Sequence, residues 1–121
     1  MWAWIFAVVF IVIGILGFVP GITTDGQLLG IFAVDTLHNI IHLISGLVAL
    51  VVAMTSTASA RLYFKVFGVI YGLVTIIGLV QGDTILGLFM VNMADNILHI
   101  AITLIALYLG FAATERDDVM M

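Results

Sequence analysis

A chain of 121 residues with 64% hydrophobic and 8% charged side chains is one domain by length and falls outside the soluble class, where about a quarter of residues are charged. Its formal net charge of −4 rests on few groups, most of them in loops or the C-terminal tail, and no basic patch offers itself to a phosphate backbone, so a nucleic-acid partner is excluded. Cysteine is absent, which excludes disulfides, thiolate metal sites and cysteine nucleophiles and leaves His, Asp, Asn or backbone oxygen to hold any metal.

The first apolar stretch, Trp2 to Val19, lacks a basic leading region and a small-x-small cleavage site, and it reads as a retained membrane helix rather than a signal peptide. Pro20-Gly21 ends it. A short apolar piece, "QLLGIFAV" (Gln27 to Val34), precedes the second span and is expected to form an interfacial turn or a short helix, with Asp35 as N-cap. The second span runs from Thr36 to Met54, "TSTASA" separates it from the third (Leu62 to Val80), and "GDT" follows. The piece "TILGLFMV" (Thr84 to Val91) repeats the interfacial pattern, Asn92 stands where the next N-cap belongs, and the fourth span covers Met93 to Ala113. Each span approaches the ~20 apolar helical residues that a hydrocarbon core of about 30 Å requires. The expected fold is all-α, a four-helix transmembrane bundle with membrane lipid as its solvent.

Arg61, Lys65 and Arg116 are the only Lys and Arg residues, and all fall on the side of the N-terminus when four spans are counted. The positive-inside rule then assigns a cytoplasmic (inner) membrane protein with both termini and the tail 114–121 in the cytoplasm. Asp25 and Asp83 lie in the two opposite loops.

A shift of 57 positions superimposes "LGIFAVDTLHNIIHLISGLVAL" on "LGLFMVNMADNILHIAITLIAL". Apolar composition produces Leu and Ala matches by chance, but it does not readily align Asn39-x-x-His42 with Asn96-x-x-His99. Two hairpin repeats, 1–55 and 58–113, follow from this. An even number of spans per unit gives both the same orientation, with a pseudo-twofold axis along the membrane normal. His42 and His99 then share a depth of about 10 Å inside the outer helix ends, seven residues past each cap at 1.5 Å per residue.

On the second span Asp35, His38, Asn39, His42, Ser45 and Gly46 follow helical spacing, and on the fourth Asn92, Asp95, Asn96, His99 and Thr103 do the same. Polar and small faces turn toward a bundle interior, so the two stripes are expected to meet. Gly14, Gly17, Gly68, Gly72 and Thr75 read as packing seams. One account of the stripes is interhelical glue, with Asp95 accepting from His38 or His42 and Asn39 bonded to Asn96. A second is a metal site. His38 and His42 at i, i+4 form a chelating pair, Asp95 and His99 repeat the spacing, and Asn39 with Asn96 orient the ligands, a set suited to zinc or a first-row transition ion. A third makes His42 and His99 axial ligands of a haem or other tetrapyrrole, with Tyr71 crowding the macrocycle. A proton relay finds no continuation in the apolar cytoplasmic half.

"NIIHLISG" (Asn39 to Gly46) and "DNILHI" (Asp95 to Ile100) resemble the Asn-x-x-His-Leu-x-x-Gly and Asp-Asn-x-x-His elements of a family of small bacterial four-span membrane proteins, domain of unknown function 4383. The likeness spans essentially the whole chain. Thr103 departs from it, standing where the second repeat would carry the glycine. The resemblance implies the four-span fold and interest in Asn39, His42, Asp95, Asn96 and His99, and it implies no chemistry. No nucleophile-base pair or phosphate loop is visible, so no enzyme activity is expected. The leading expectation is a structural or accessory membrane subunit held by the hydrogen-bonded cluster, with a second copy or a membrane-complex subunit as partner. A metal-binding membrane protein and a bis-histidine haem subunit are its alternatives.

Overall fold

In a computed structural model, residues 1–113 are described; Arg116 and the tail 114–121 lie outside them. Four helices make up most of the chain: α1 (Trp2–Leu16), α2 (Thr36–Thr55), α3 (Thr57–Gln81) and α4 (Met93–Leu107), the last continued by a π-helical turn at Tyr108–Ala112. Three helical runs of 20, 25 and 20 residues (Thr36–Thr55, Thr57–Gln81 and Met93–Ala112) are long and apolar enough to cross a bilayer. With the shorter apolar α1 they make a multi-pass membrane protein.

Two boundaries differ from those expected, each for a local reason. α1 stops at Leu16, not Val19, so its 15 residues rise about 22 Å. The amides of Phe18 and Val19 bond back to Ile15 and Leu16, at 2.9 and 3.1 Å, tightening the exit before Pro20, which disfavours helical geometry at Val19. At the other boundary, α3 begins at Thr57, because Ser56 is extended (φ −163°) and its hydroxyl caps the Ser59 amide at 3.0 Å. The connection expected over "TSTASA" shrinks to that single serine between α2 and α3.

The two interfacial pieces, expected as a turn or short helix, are β-hairpins. β1 (Thr23–Thr24), β2 (Gln27–Leu28) and β3 (Phe32–Ala33) form one small antiparallel sheet, and β4 (Thr84–Ile85) with β5 (Phe89–Met90) forms another. Leu28 is opposite Phe32 and Ile85 is opposite Phe89. Each hairpin turns on a Leu-Gly pair with both residues left-handed, at φ 56° and 69° for Leu29-Gly30 and 53° and 70° for Leu86-Gly87. The amides of Ile31 and Leu88 close the turns on Leu28 and Ile85, at 3.0 and 2.8 Å. Two positive φ values in succession are the type I′ geometry that matches strand twist, and they forbid a helix at that point.

α1 packs mainly on α2, and α3 on α4. In lipid no hydrophobic drive holds helices together, so close van der Waals approach must. A Cβ added to Gly46 would lie 2.7 Å from the Ile11 backbone nitrogen, and one on Gly110 2.7 Å from that of Lys65. At the end of the bundle bearing the N-terminus, Phe6, Phe10, Tyr63, Phe64, Phe67 and Tyr71 form an aromatic core, with Phe67 stacked on Tyr71 at 4.0 Å. The buried polar side chains gather nearer the hairpins. Because neither backbone beside Gly46 can retreat, Gly46→Ala should destabilise the bundle by about 1–3 kcal/mol. The control is Gly72→Ala, whose new Cβ meets only the Thr103 methyl at an ordinary 3.4 Å. Thermal unfolding in detergent should show a lowered midpoint for the first and none for the second.

Candidate metal centre

Asp35 and Asn92 start the two helices that carry the polar cluster. Asp35 is extended, and its Oδ1 accepts from the His38 amide at 2.8 Å. Asn92 Oδ1 accepts from the Asp95 amide at 2.9 Å, while Asp95 Oδ2 accepts from the Asn92 amide at 2.9 Å, a reciprocal capping box. Each cap also reaches into the other half of the chain. The Met90 amide in β5 donates to Asp35 Oδ2 at 2.8 Å, and Asn92 Nδ2 donates to the Ile31 carbonyl, just before β3, at 2.8 Å. These bonds fix α2 against the second hairpin and α4 against the first.

His38, His42 and His99 converge inside that frame. One ligating nitrogen from each lies within 4.8 Å of the other two. The rings are 1%, 4% and 2% exposed, so bulk water does not hydrate them. His38 Nδ1 donates to the Met90 carbonyl at 2.8 Å, which in the neutral ring leaves Nε2 with its lone pair free. His38 Nε2, His42 Nδ1 and both nitrogens of His99 have no hydrogen-bond partner among the described residues. Aromatic rings wall the cluster: Phe89 at 5.2 Å from His38, Phe10 at 5.4 Å from His42 and Tyr71 at 5.6 Å from His99. The Tyr71 hydroxyl is itself engaged by Ser45 at 2.9 Å.

This chemistry suits a cation. Nitrogens bound to one tetrahedral ion at about 2.0–2.1 Å stand about 3.4 Å apart, a contraction within reach of small ring rotations. A ligating histidine ordinarily donates its other ring N–H to a carbonyl or carboxylate, the role the Met90 carbonyl fills for His38.

A family model described as Domain of unknown function (DUF4383) matches residues 1–112. The chain belongs to this family. No curated protein and no solved structure matches it.

Several expected roles fall elsewhere. Asp95, expected as the carboxylate ligand, is not in the converging group; it occupies the third position of α4, where the capping box engages it. Asn39 and Asn96, expected to orient the histidines, pack instead where Gly17 and Gly78 leave room for their amides. Asn39 Oδ1 and both polar ends of Asn96 are without partners among the described residues, so the Asn39–Asn96 bond of the glue account is absent there, and so is any bond from Asp95 to His38 or His42. A tetrapyrrole between His42 and His99 would have to displace His38, whose ring centroid is 4.4 Å from His42 and 5.9 Å from His99. The orienting group that sequence reading missed is the Met90 peptide, a backbone partner that no residue type announces. Phe10, whose counterpart under the 57-residue shift is Phe67, belongs to the wall of the site.

Asp35 serves two amides, one in each half. Asp35→Ala should therefore lose more than the ~1 kcal/mol typical of a cap. Amide hydrogen exchange at Met90 should quicken in the same variant, and unchanged exchange there would separate the cap from the brace.

Proposed function

We propose that this is a metal-binding protein of the bacterial cytoplasmic membrane that holds one zinc or first-row transition ion on His38, His42 and His99. The observation that carries the reading is the convergence of three imidazoles, each at most 4% exposed and each with an unpartnered nitrogen, within 4.8 Å. Leaving a buried polar group unsatisfied costs about 1–3 kcal/mol. A hydrogen-bonded contact inside a membrane returns only about 0.6 kcal/mol on average. Glue alone is thus a poor account of three histidines that bond to no helix neighbour, whereas a shared cation engages all three at once.

Arg61 and Lys65 near the start of α3 support an orientation with both termini in the cytoplasm. The centre then belongs to the outer half of the bilayer, beneath the two hairpins, and receives its ion from outside the cell. Toward the other end the core is mainly aromatic and apolar, with the Tyr71 and Tyr63 hydroxyls bonded to Ser45, and we propose a holding or relaying role over conduction through one monomer. No nucleophile stands with a base in this cluster, and we propose binding rather than catalysis. The apolar outer surface suits lipid and a second copy or membrane-complex subunit.

Protein with its tag removed, purified without chelator or imidazole, should carry close to one equivalent of metal by elemental analysis and show no Soret band. His42→Ala and His99→Ala should lose the metal, and Asp95→Asn should keep it. Metal-free protein should gain about 2.7 kcal/mol of stability at a free ion concentration 100-fold above the dissociation constant. Failure of zinc, copper, cobalt and nickel alike to bind the wild type would overturn the reading.

A further inference from the structure

The donor set narrows the ion. We propose that the centre selects monovalent copper, an inference that rests on the three-histidine metal reading above.

Charge gives the first argument. Three imidazoles are neutral ligands, and both carboxylates near them in sequence are engaged outside the group, Asp35 by the His38 and Met90 amides and Asp95 in its capping box. Cysteine, which could supply a thiolate, is absent from the chain. An ion held here keeps its whole charge within a wall of Phe10, Phe89 and Tyr71. The Born penalty grows with the square of the charge, so a monovalent ion meets about a quarter of the penalty of a divalent one.

Coordination number gives the second. Zinc takes four ligands, and a three-histidine zinc site completes its shell with water in an open position. Divalent copper and nickel favour tetragonal arrangements, and manganese and magnesium favour six oxygens. Here three donors converge and aromatic rings stand beside each of them. Monovalent copper is a filled-shell ion satisfied by two or three imidazoles in linear or trigonal geometry, with no fourth ligand and no bound anion. Sodium and potassium, although monovalent, seek oxygen donors, and this cluster presents nitrogen.

The orphaned nitrogens fit that count. His38, His42 and His99 each keep at least one unpartnered nitrogen and offer one ligand atom apiece, and the Met90 carbonyl fixes the ring of the first.

The test is a pair of competition titrations on the full chain in detergent. One adds copper(I) anaerobically against bicinchoninate, and the other adds zinc(II) against a chromophoric zinc chelator. Copper(I) should bind one equivalent at least about 100-fold more tightly than zinc, in keeping with the charge and coordination arguments. X-ray absorption at the copper edge should report a three-coordinate, all-nitrogen site, and silver(I) should compete. Zinc binding equal to or tighter than copper would overturn the copper assignment and leave the metal centre standing. Binding of neither ion, with histidine ring resonances unmoved, would overturn the copper assignment, and failure of cobalt and nickel as well would overturn the metal centre. His99→Ala should weaken copper(I) at least about 100-fold. Should that variant fail to fold, the wild-type titrations and the absorption edge still decide the matter.

Discussion

The Met90 peptide is held on both sides by the other half of the molecule: its N–H by Asp35, its C=O by His38, each at 2.8 Å. Much of the hairpin end of the bundle depends on this clamp. It joins the start of α2 to β5, brings the second hairpin over the cluster, and fixes the ring of His38. Asp35 can take part because it caps α2 with its other oxygen. A single carboxylate thus aligns a helix, a hairpin and, through the neighbouring peptide group, a candidate ligand. Backbone groups that no neighbouring strand pairs must find partners elsewhere, and at this strand end Asp35 and His38 supply them.

The sequence made the membrane character plain because lipid demands long apolar runs, and α2, α3 and the Met93–Ala112 run supply them. The family resemblance seen in Asn39-x-x-His42 and Asp95-Asn96-x-x-His99 agrees with the matching family model. The hairpins were not legible in the same way. "QLLGIFAV" and "TILGLFMV" are apolar enough to read as interfacial helix, and the deciding feature is that Leu29 and Leu86 adopt left-handed backbone. A leucine there is uncommon, so residue type argues against the conformation the chain takes. α1 is shorter than its hydropathy because Phe18 and Val19 remain apolar after Pro20 has already constrained the backbone.

Within the site, helical spacing found all three histidines, but it could not say which polar neighbours would serve them. Asp95 and Asn96 follow one another on α4, so their side chains point in different directions around the helix axis. Each is used by its immediate surroundings, the cap for Asp95 and the Gly78 face of α3 for Asn96. A periodic stripe records which residues share a side of a helix, not what each one reaches.

α2 and α4 are capped differently, and the third position of each helix accounts for the difference. His38 and Asp95 occupy the same position, the third residue of their helices, separated by the 57-residue shift. In the second half that position closes a capping box, which leaves Asn92 its amide group; a donor, it takes the Ile31 carbonyl. In the first half a histidine stands there and returns nothing to the cap. The cap is then an aspartate, whose second oxygen, an acceptor, takes the Met90 amide. The choice of Asp or Asn as cap therefore follows from which backbone group of the opposite hairpin must be satisfied. Because the third position of α2 is free of capping, His38 can stand there beside His42 and His99.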